Sequence, residues 1–170
     1  VVFGVGDVNG VGGAACLRFA REGYHVLVAG RTPAKIEKVV EAVREAGKGS
    51  AEAVPTDVTD EAQVIAAFDR AMNPGQGRAP ADVVISNAGN NAIIDFTTLS
   101  AAQFEDFWRV GCYSGFLVGR EAARRLLPLG RGTVIFTGAS GSLRGKPGFA
   151  HFASAKAGLR MIAQSMAREY

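Results

Sequence analysis

Short apolar runs alternate with amphipathic stretches from the first residue of the chain. Residues 1–5 form an apolar run ending at glycine, and residues 11–22 follow with helical spacing. Residues 24–29 are a second apolar run. Ile36, Val39, Val40 and Val43 then fall at i, i+3, i+4 and i+7, one face of a helix. Pro33 stands just inside the start of that helix and Gly47 just past its end, the asymmetry expected of helix termini. The alternation continues with a strand over 51–55 and a helix marked by Val64, Phe68 and Ala71. A Gly/Pro-rich loop over 73–80 precedes a strand over 82–86. A long helical stretch over 100–127 is expected to break near Gly111. A strand over 133–137 and a helix over 152–168 complete the pattern.

Strands that read as apolar runs rather than alternating patterns, each followed by a helix, predict a parallel sheet buried on both faces. The expected fold is α/β, a Rossmann-type doubly wound parallel sheet with helices on both faces. No internal repeat or domain boundary interrupts residues 1–170, so one dinucleotide-binding domain is expected. The chain opens inside a strand without an initiating Met and closes on Arg168-Glu169-Tyr170 near a helix end. Both features predict a fragment that is incomplete at its C-terminus.

Composition changes this picture little. Apolar residues make up 48% and charged residues 21%, as in ordinary globular proteins. The apolar runs are too short to span a bilayer, and no signal segment opens the chain. Cys16 and Cys112 match neither a metal-ligand spacing nor a disulfide framework, so no metal is expected. Two free buried thiols point to a reducing, cytoplasmic setting. The formal charge of +3 is mild, and the run Arg120, Arg124, Arg125 and Arg131 reads as a solvated face. Nucleic-acid and membrane partners are not expected.

The chemistry begins at Gly6-Asp7-Val8-Asn9-Gly10-Val11-Gly12-Gly13, between the first strand and the first helix. A phosphate reaches a helix N-terminus only where the connecting backbone can approach it without a Cβ in the way. Gly6, Asn9, Gly10, Val11 and Gly12 are therefore candidate contacts for a dinucleotide pyrophosphate. At the end of the second strand stands Ala29-Gly30-Arg31-Thr32. An acidic residue there would hold the ribose 2′-hydroxyl of NAD, whereas this chain carries Gly30 followed by Arg31. A guanidinium suits the 2′-phosphate of NADP. Arg31 and Thr32, with Lys35 adding to them, thus predict NADP(H), with NAD(H) possible. Asp57-Val58 and Asn87-Ala88-Gly89 follow later strands, at the carboxyl edge where such folds bind ligands. The Asp57 carboxylate can accept from the adenine amino group or serve a helix N-terminus.

With the spacing Gly6-x3-Gly10-x-Gly12, then Asp57-Val58, Asn87-Ala88-Gly89, a Ser/Gly-rich loop and a residue-x3-Lys156 helix start, the whole chain resembles the classical short-chain dehydrogenases/reductases. The resemblance implies a nicotinamide cofactor, an oxidoreductase acting on a carbonyl/alcohol pair, and a homo-oligomer associating through its long helices. It also implies an Asn–Ser–Tyr–Lys tetrad. The tyrosine position falls on Phe152, the serine on Ala139 and the asparagine on Gly111; only Lys156 matches. Proton transfer by a positioned side chain is worth about 10²–10⁴-fold, and neither phenylalanine nor alanine supplies it. Ser140, Ser142, His151 and Tyr113 are candidate substitutes. Ser142 is preferred, because a glycine-flanked loop can turn it inward, whereas His151 points about 100° away from Phe152 on a helix. Lys156 retains the role of gripping the nicotinamide ribose. Two readings remain: a divergent NADP(H) oxidoreductase acting on an unknown small molecule, and a non-catalytic dinucleotide-binding sensor or partner subunit. A methyltransferase using the same fold fits less well, since it too needs an acid after the second strand.

Overall fold

The computed structural model describes residues 1–170. Five strands, β1 (Val2–Phe3), β2 (His25–Gly30), β3 (Ser50–Pro55), β4 (Val83–Ser86) and β5 (Thr133–Phe136), form one sheet. Its order is β3-β2-β1-β4-β5 and every pairing is parallel. Val2 lies between Val28 and Ile85, and Phe3 between Ala29 and Ser86, so β1 is central. Six helices connect and cover the strands: α1 (Val11–Arg21), α2 (Pro33–Ala46), α3 (Glu61–Met72), α4 (Ala101–Trp108), α5 (Ser114–Leu126) and α6 (Ala150–Glu169).

Successive strand residues point to opposite faces, and each face feeds its own core. Val2, Val26, Val28 and Ile85 meet Cys16 and Ala20 of α1 and Ile36, Val39 and Val43 of α2. Phe3, Leu27, Ala29 and Val84 meet Val64 and Phe68 of α3 and Leu117, Val118 and Ala122 of α5. This is the doubly wound sheet expected from the apolar runs. Each fully buried side chain of the Phe3, Phe68 or Ile36 kind contributes roughly 1.5–3 kcal/mol. Helix ends also follow local chemistry. Asp60 caps α3 by accepting from the Ala62 and Gln63 amides, and Ser100 with Gln103 closes a capping box on α4. Gly47 ends α2 with φ of 76°.

Two local expectations are corrected, and the break near Gly111 takes a specific form. The first strand stops at Phe3 rather than residue 5, because Gly4 turns with φ of +77° where a Cβ would stand 2.4 Å from the Ala88 nitrogen. The long helix over 100–127 is two helices joined by a five-residue π-helical segment, Arg109–Tyr113, at the expected break. The arginine run is only in part a solvated face: Arg124 and Arg131 are exposed, whereas Arg120 and Arg125 are half-buried, and all four are ion-paired. Arg120, Arg124 and Arg125 surround the buried Glu121 carboxylate, with Arg120 also on Glu61 and Arg125 on Asp69 of α3; Arg131 pairs with Asp82. No helix is long and apolar enough to cross a membrane.

Candidate functional site

The strand order reverses direction between β1 and β4, and a cleft opens at the carboxyl ends of the strands there. It encloses about 190 Å³ and is lined by Gly4, Gly6, Gly30, Arg31, Thr32, Lys35, Asp57, Val58, Ala88 and Gly89, among others. Apart from Gly4, these residues come from four separate loops singled out along the sequence, and they meet in one place.

The glycine loop sits at one wall. A Cβ on Gly6 would meet nothing within 4 Å, so this residue faces open space. Gly10 caps α1 with extended backbone, no side chain accepts from the α1 amides, and its first turn holds no acidic residue. The first amides of an 11-residue helix are therefore open to an anion. The Asn9 amide is already engaged, donating to Asp7 Oδ1 at 3.0 Å. Val11 is exposed and Gly12 buried, where a Cβ would stand 2.9 Å from Asn87 Nδ2. That approach ties the glycine loop to the loop after β4.

At the opposite wall, β2 ends on Gly30. A Cβ there would lie 2.1 Å from the Val5 carbonyl oxygen and 2.8 Å from Ile36 Cγ2. The position cannot carry an acidic side chain without moving backbone. Arg31 and Lys35 line the same end, and Thr32 precedes α2 without a side-chain cap bond. Asp57 is the center of an Asx turn: Oδ1 accepts from the Thr59 amide at 2.9 Å and the Thr59 hydroxyl at 2.7 Å. The α3 cap is Asp60, so Asp57 is free of that duty.

Lys156 is the buried cation of the site. Its Nζ donates to the Ala88 carbonyl at 3.2 Å and to the Thr137 carbonyl at 3.0 Å, and lies 3.3 Å from where a Gly89 Cβ would be. Burial pushes its ammonium below the ordinary lysine range, with the neighboring Cys112 acting weakly the other way. Thr137 also donates its hydroxyl to Asn87 Oδ1 at 3.0 Å, while Asn87 Nδ2 donates to the Gly4 carbonyl at 3.1 Å. Gly4, Asn87, Thr137 and Lys156 form one hydrogen-bonded chain across β1, β4 and β5. Gly4 and Thr137 were not singled out from sequence. The x-Gly-x-Gly pattern at 3–6 and the Thr137 hydroxyl at a strand end were the available signals.

The remaining candidates are engaged elsewhere. The Ser142 hydroxyl donates to the Ala139 carbonyl at 2.7 Å, which commits its proton to its own turn. His151 is fully buried with Nε2 on the Ala92 carbonyl. Tyr113 stacks between Trp108 and Phe116 with Arg109 over its ring. Phe152 lies against Gly141, and a Cβ on Gly111 would meet Ala155 Cβ at 2.9 Å. Both cysteines are free and buried, and no group of three or more His, Cys, Asp or Glu side chains is placed to hold a metal ion.

The short chain dehydrogenase family profile matches residues 1–170. The chain belongs to the short-chain dehydrogenase family. Members of this oxidoreductase family bind a nicotinamide dinucleotide. Among its relatives, the uncharacterized oxidoreductase YuxG of Bacillus subtilis (strain 168) is 35% identical over 166 residues, 96% of this chain and 24% of that protein. Gluconate 5-dehydrogenase of Gluconobacter oxydans (strain 621H) is 27% identical over 168 residues, 97% of this chain and 63% of that protein. The chain therefore spans about a quarter of one of these relatives and under two thirds of the other. A short-chain dehydrogenase from Rhodopseudomonas palustris superposes with a TM-score of 0.90 at 40% identity, covering 99% of this chain and 76% of that one. Its fold is this fold.

Proposed function

We propose that this chain is the dinucleotide-binding domain of an oxidoreductase that takes NADP(H) in preference to NAD(H). The observation that carries the preference is Gly30, closed to any side chain by the Val5 carbonyl, beside the two cations Arg31 and Lys35. A 2′-phosphate gains charge-assisted hydrogen bonds there, and a 2′-hydroxyl finds no carboxylate. The open α1 N-terminus fits the pyrophosphate, with Gly6, Gly10, Val11 and Gly12 around it and Asn9 at the rim. Asp57 and Val58 fit the adenine, and Asn87, Ala88 and Gly89 fit the ribose on the nicotinamide side.

When bound, the cofactor supplies a hydride equivalent. The chain's own residues orient it. Lys156 keeps one N–H beyond the two spent on Ala88 and Thr137, and that donor serves the nicotinamide ribose. In the family resemblance the tyrosine, serine and asparagine positions fall on Phe152, Ala139 and Gly111, none of which can hold or move a proton. Ser142 is the hydroxyl left in the adjoining turn. It can still accept a hydrogen bond, but donates only by giving up Ala139. We read the reaction as hydride exchange with a small carbonyl/alcohol pair, run without the usual phenol. The exposed aromatics Phe104, Trp108 and Phe116 of α4 and α5 support a homo-oligomer. The two free, buried thiols are consistent with a cytoplasmic setting.

The test is NADPH oxidation by the full-length protein over a panel of ketones and aldehydes, beside the variants Lys156→Ala and Ala139→Ser/Phe152→Tyr. Turnover by the natural protein that Lys156→Ala abolishes supports the reading. Turnover by the double variant alone would assign the natural protein to the sensor or partner-subunit alternative.

A further inference from the structure

The segment leaving β4 is fastened to α6 and to the loop just before it by three hydrogen bonds. Lys156 Nζ donates to the Ala88 carbonyl at 3.2 Å, and the Ile94 amide donates to the Gly148 carbonyl at 3.0 Å. Between them, His151 Nε2 donates to the Ala92 carbonyl at 3.2 Å. His151 is 0% exposed, and its ring lies 4.1 Å from that of Phe107 on α4, centroid to centroid. One imidazole therefore joins α6, α4 and the loop that connects β4 to α4. Its partner is a carbonyl, so Nε2 carries the proton. Nδ1 is buried and has no partner. A buried acceptor without a partner is unfavorable, and an aliphatic side chain would pack on Phe107 without it. Packing alone does not account for a histidine here.

We propose that His151 is a positioning residue. Its single donated hydrogen bond holds the middle of the 89–95 segment against α6. The first residues of that loop, Ala88 and Gly89, form a wall of the cleft and face Lys156. With Ala92 released, the segment keeps the Ile94–Gly148 bond and the Asn90 Nδ2 bond to Asp106 Oδ2 at 3.2 Å, both away from its middle. Ile93, 80% exposed, adds little burial to hold it. His151 thus acts through Ala88, Gly89 and Lys156 rather than on a reacting atom. The consequence for cofactor binding rests on the function proposed above, whereas the clamp itself does not.

The experiment compares His151→Leu, His151→Asn and His151→Gln in the full-length protein by amide hydrogen exchange and by NADPH titration. Glutamine carries an N–H at a reach close to Nε2, whereas asparagine stops short and leucine has no donor. Exchange at residues 89–95 is expected to quicken about tenfold in the Leu and Asn variants, as one lost buried hydrogen bond allows. NADPH affinity is expected to fall by about three- to tenfold in the same two variants. Glutamine restores both to within about twofold. Exchange in 89–95 that matches the natural protein in all three variants overturns the proposal. So does a Gln variant that behaves like Asn, or a loss of thermal stability spread over the whole fold without a selective effect on this segment. If the natural protein binds no NADPH yet exchange follows the expected order, the clamp stands and the cofactor reading falls. If NADPH binds and exchange is insensitive to residue 151, the reverse holds.

Discussion

At the residue scale, Gly30 and Arg31 carry most of the cofactor reading. Arg31→Ala removes a charge-assisted contact, so NADPH affinity is expected to fall roughly ten- to hundredfold while NADH affinity holds. Paired titrations with the two cofactors measure this directly. Gly30→Ala adds one Cβ where the Val5 carbonyl stands 2.1 Å away, and is expected to cost about 1–3 kcal/mol of stability in urea unfolding. An unchanged unfolding midpoint would mean that the backbone yields there, and that an acid could be seated after all. The place of Gly30-Arg31 at the cleft was legible in the sequence, because it follows from a strand end at a known distance from a glycine loop. Ser142 and His151 were not legible in the same way. Their protons go to the carbonyls of Ala139 and Ala92, and backbone acceptors leave no mark on a sequence.

At the element scale, the π-helical segment Arg109–Tyr113 joins α4 to α5, and all three pack on α6. The Ser114 hydroxyl, at the start of α5, donates back to the Val110 carbonyl of this segment at 2.7 Å. Gly111, Gly115 and Gly119 then share one face, and Cβ atoms there would meet Ala155 at 2.9 Å, Leu159 at 2.2 Å and Met166 at 2.8 Å. Glycine inside an exposed helix is normally improved by alanine. Here the sign reverses: Gly115→Ala is expected to destabilize by about 1–3 kcal/mol, read from urea unfolding. Restoring an asparagine at Gly111 meets the same obstacle, so Gly111→Asn is expected to need Ala155→Gly before it folds as well as the natural protein. The break near Gly111 could be read from the glycine in a helical pattern. The extra turn geometry and its tight partner could not, because they depend on a helix 40 residues further along the chain.

A second element-scale contact joins β3 to α3. Arg70 Nε and Nη2 donate to Glu52 Oε1 and Oε2 at 2.7 and 2.6 Å. The Arg70 hydrogen bonds hold the Glu52 carboxyl below its ordinary 4.5. A depressed carboxyl contributes stability above 4.5 and loses it as pH falls through its folded value. The pair is partly exposed and screened by solvent, so Arg70→Met is expected to lower stability only slightly at neutral pH. The difference from the natural protein should close on acidification below 4.5, as measured by unfolding across pH. A gap that persists in strong acid would assign the contact to packing rather than charge.

At the scale of the whole molecule, the sheet order β3-β2-β1-β4-β5 places the ends of β1, β2, β3 and β4 around one cleft. That convergence was legible: apolar runs without alternation require a sheet covered on both faces, and right-handed parallel connections bring the carboxyl ends to one edge. The ion pairs that absorb the arginine run were not, since Glu61 and Asp69 lie on another helix and meet α5 only once the sheet has formed. The central claim belongs to this scale too, because it joins the glycine loop, the Gly30 end of β2 and the Lys156 network in one binding event. Calorimetric titration of the full-length protein with NADPH and with NADH tests it most directly. NADPH is expected to bind one per chain, at least about tenfold tighter than NADH, as a charge-assisted pair at Arg31 requires. Equal affinities would contradict the role given to Gly30, Arg31 and Lys35, and the absence of binding by either cofactor would contradict the function proposed for the cleft.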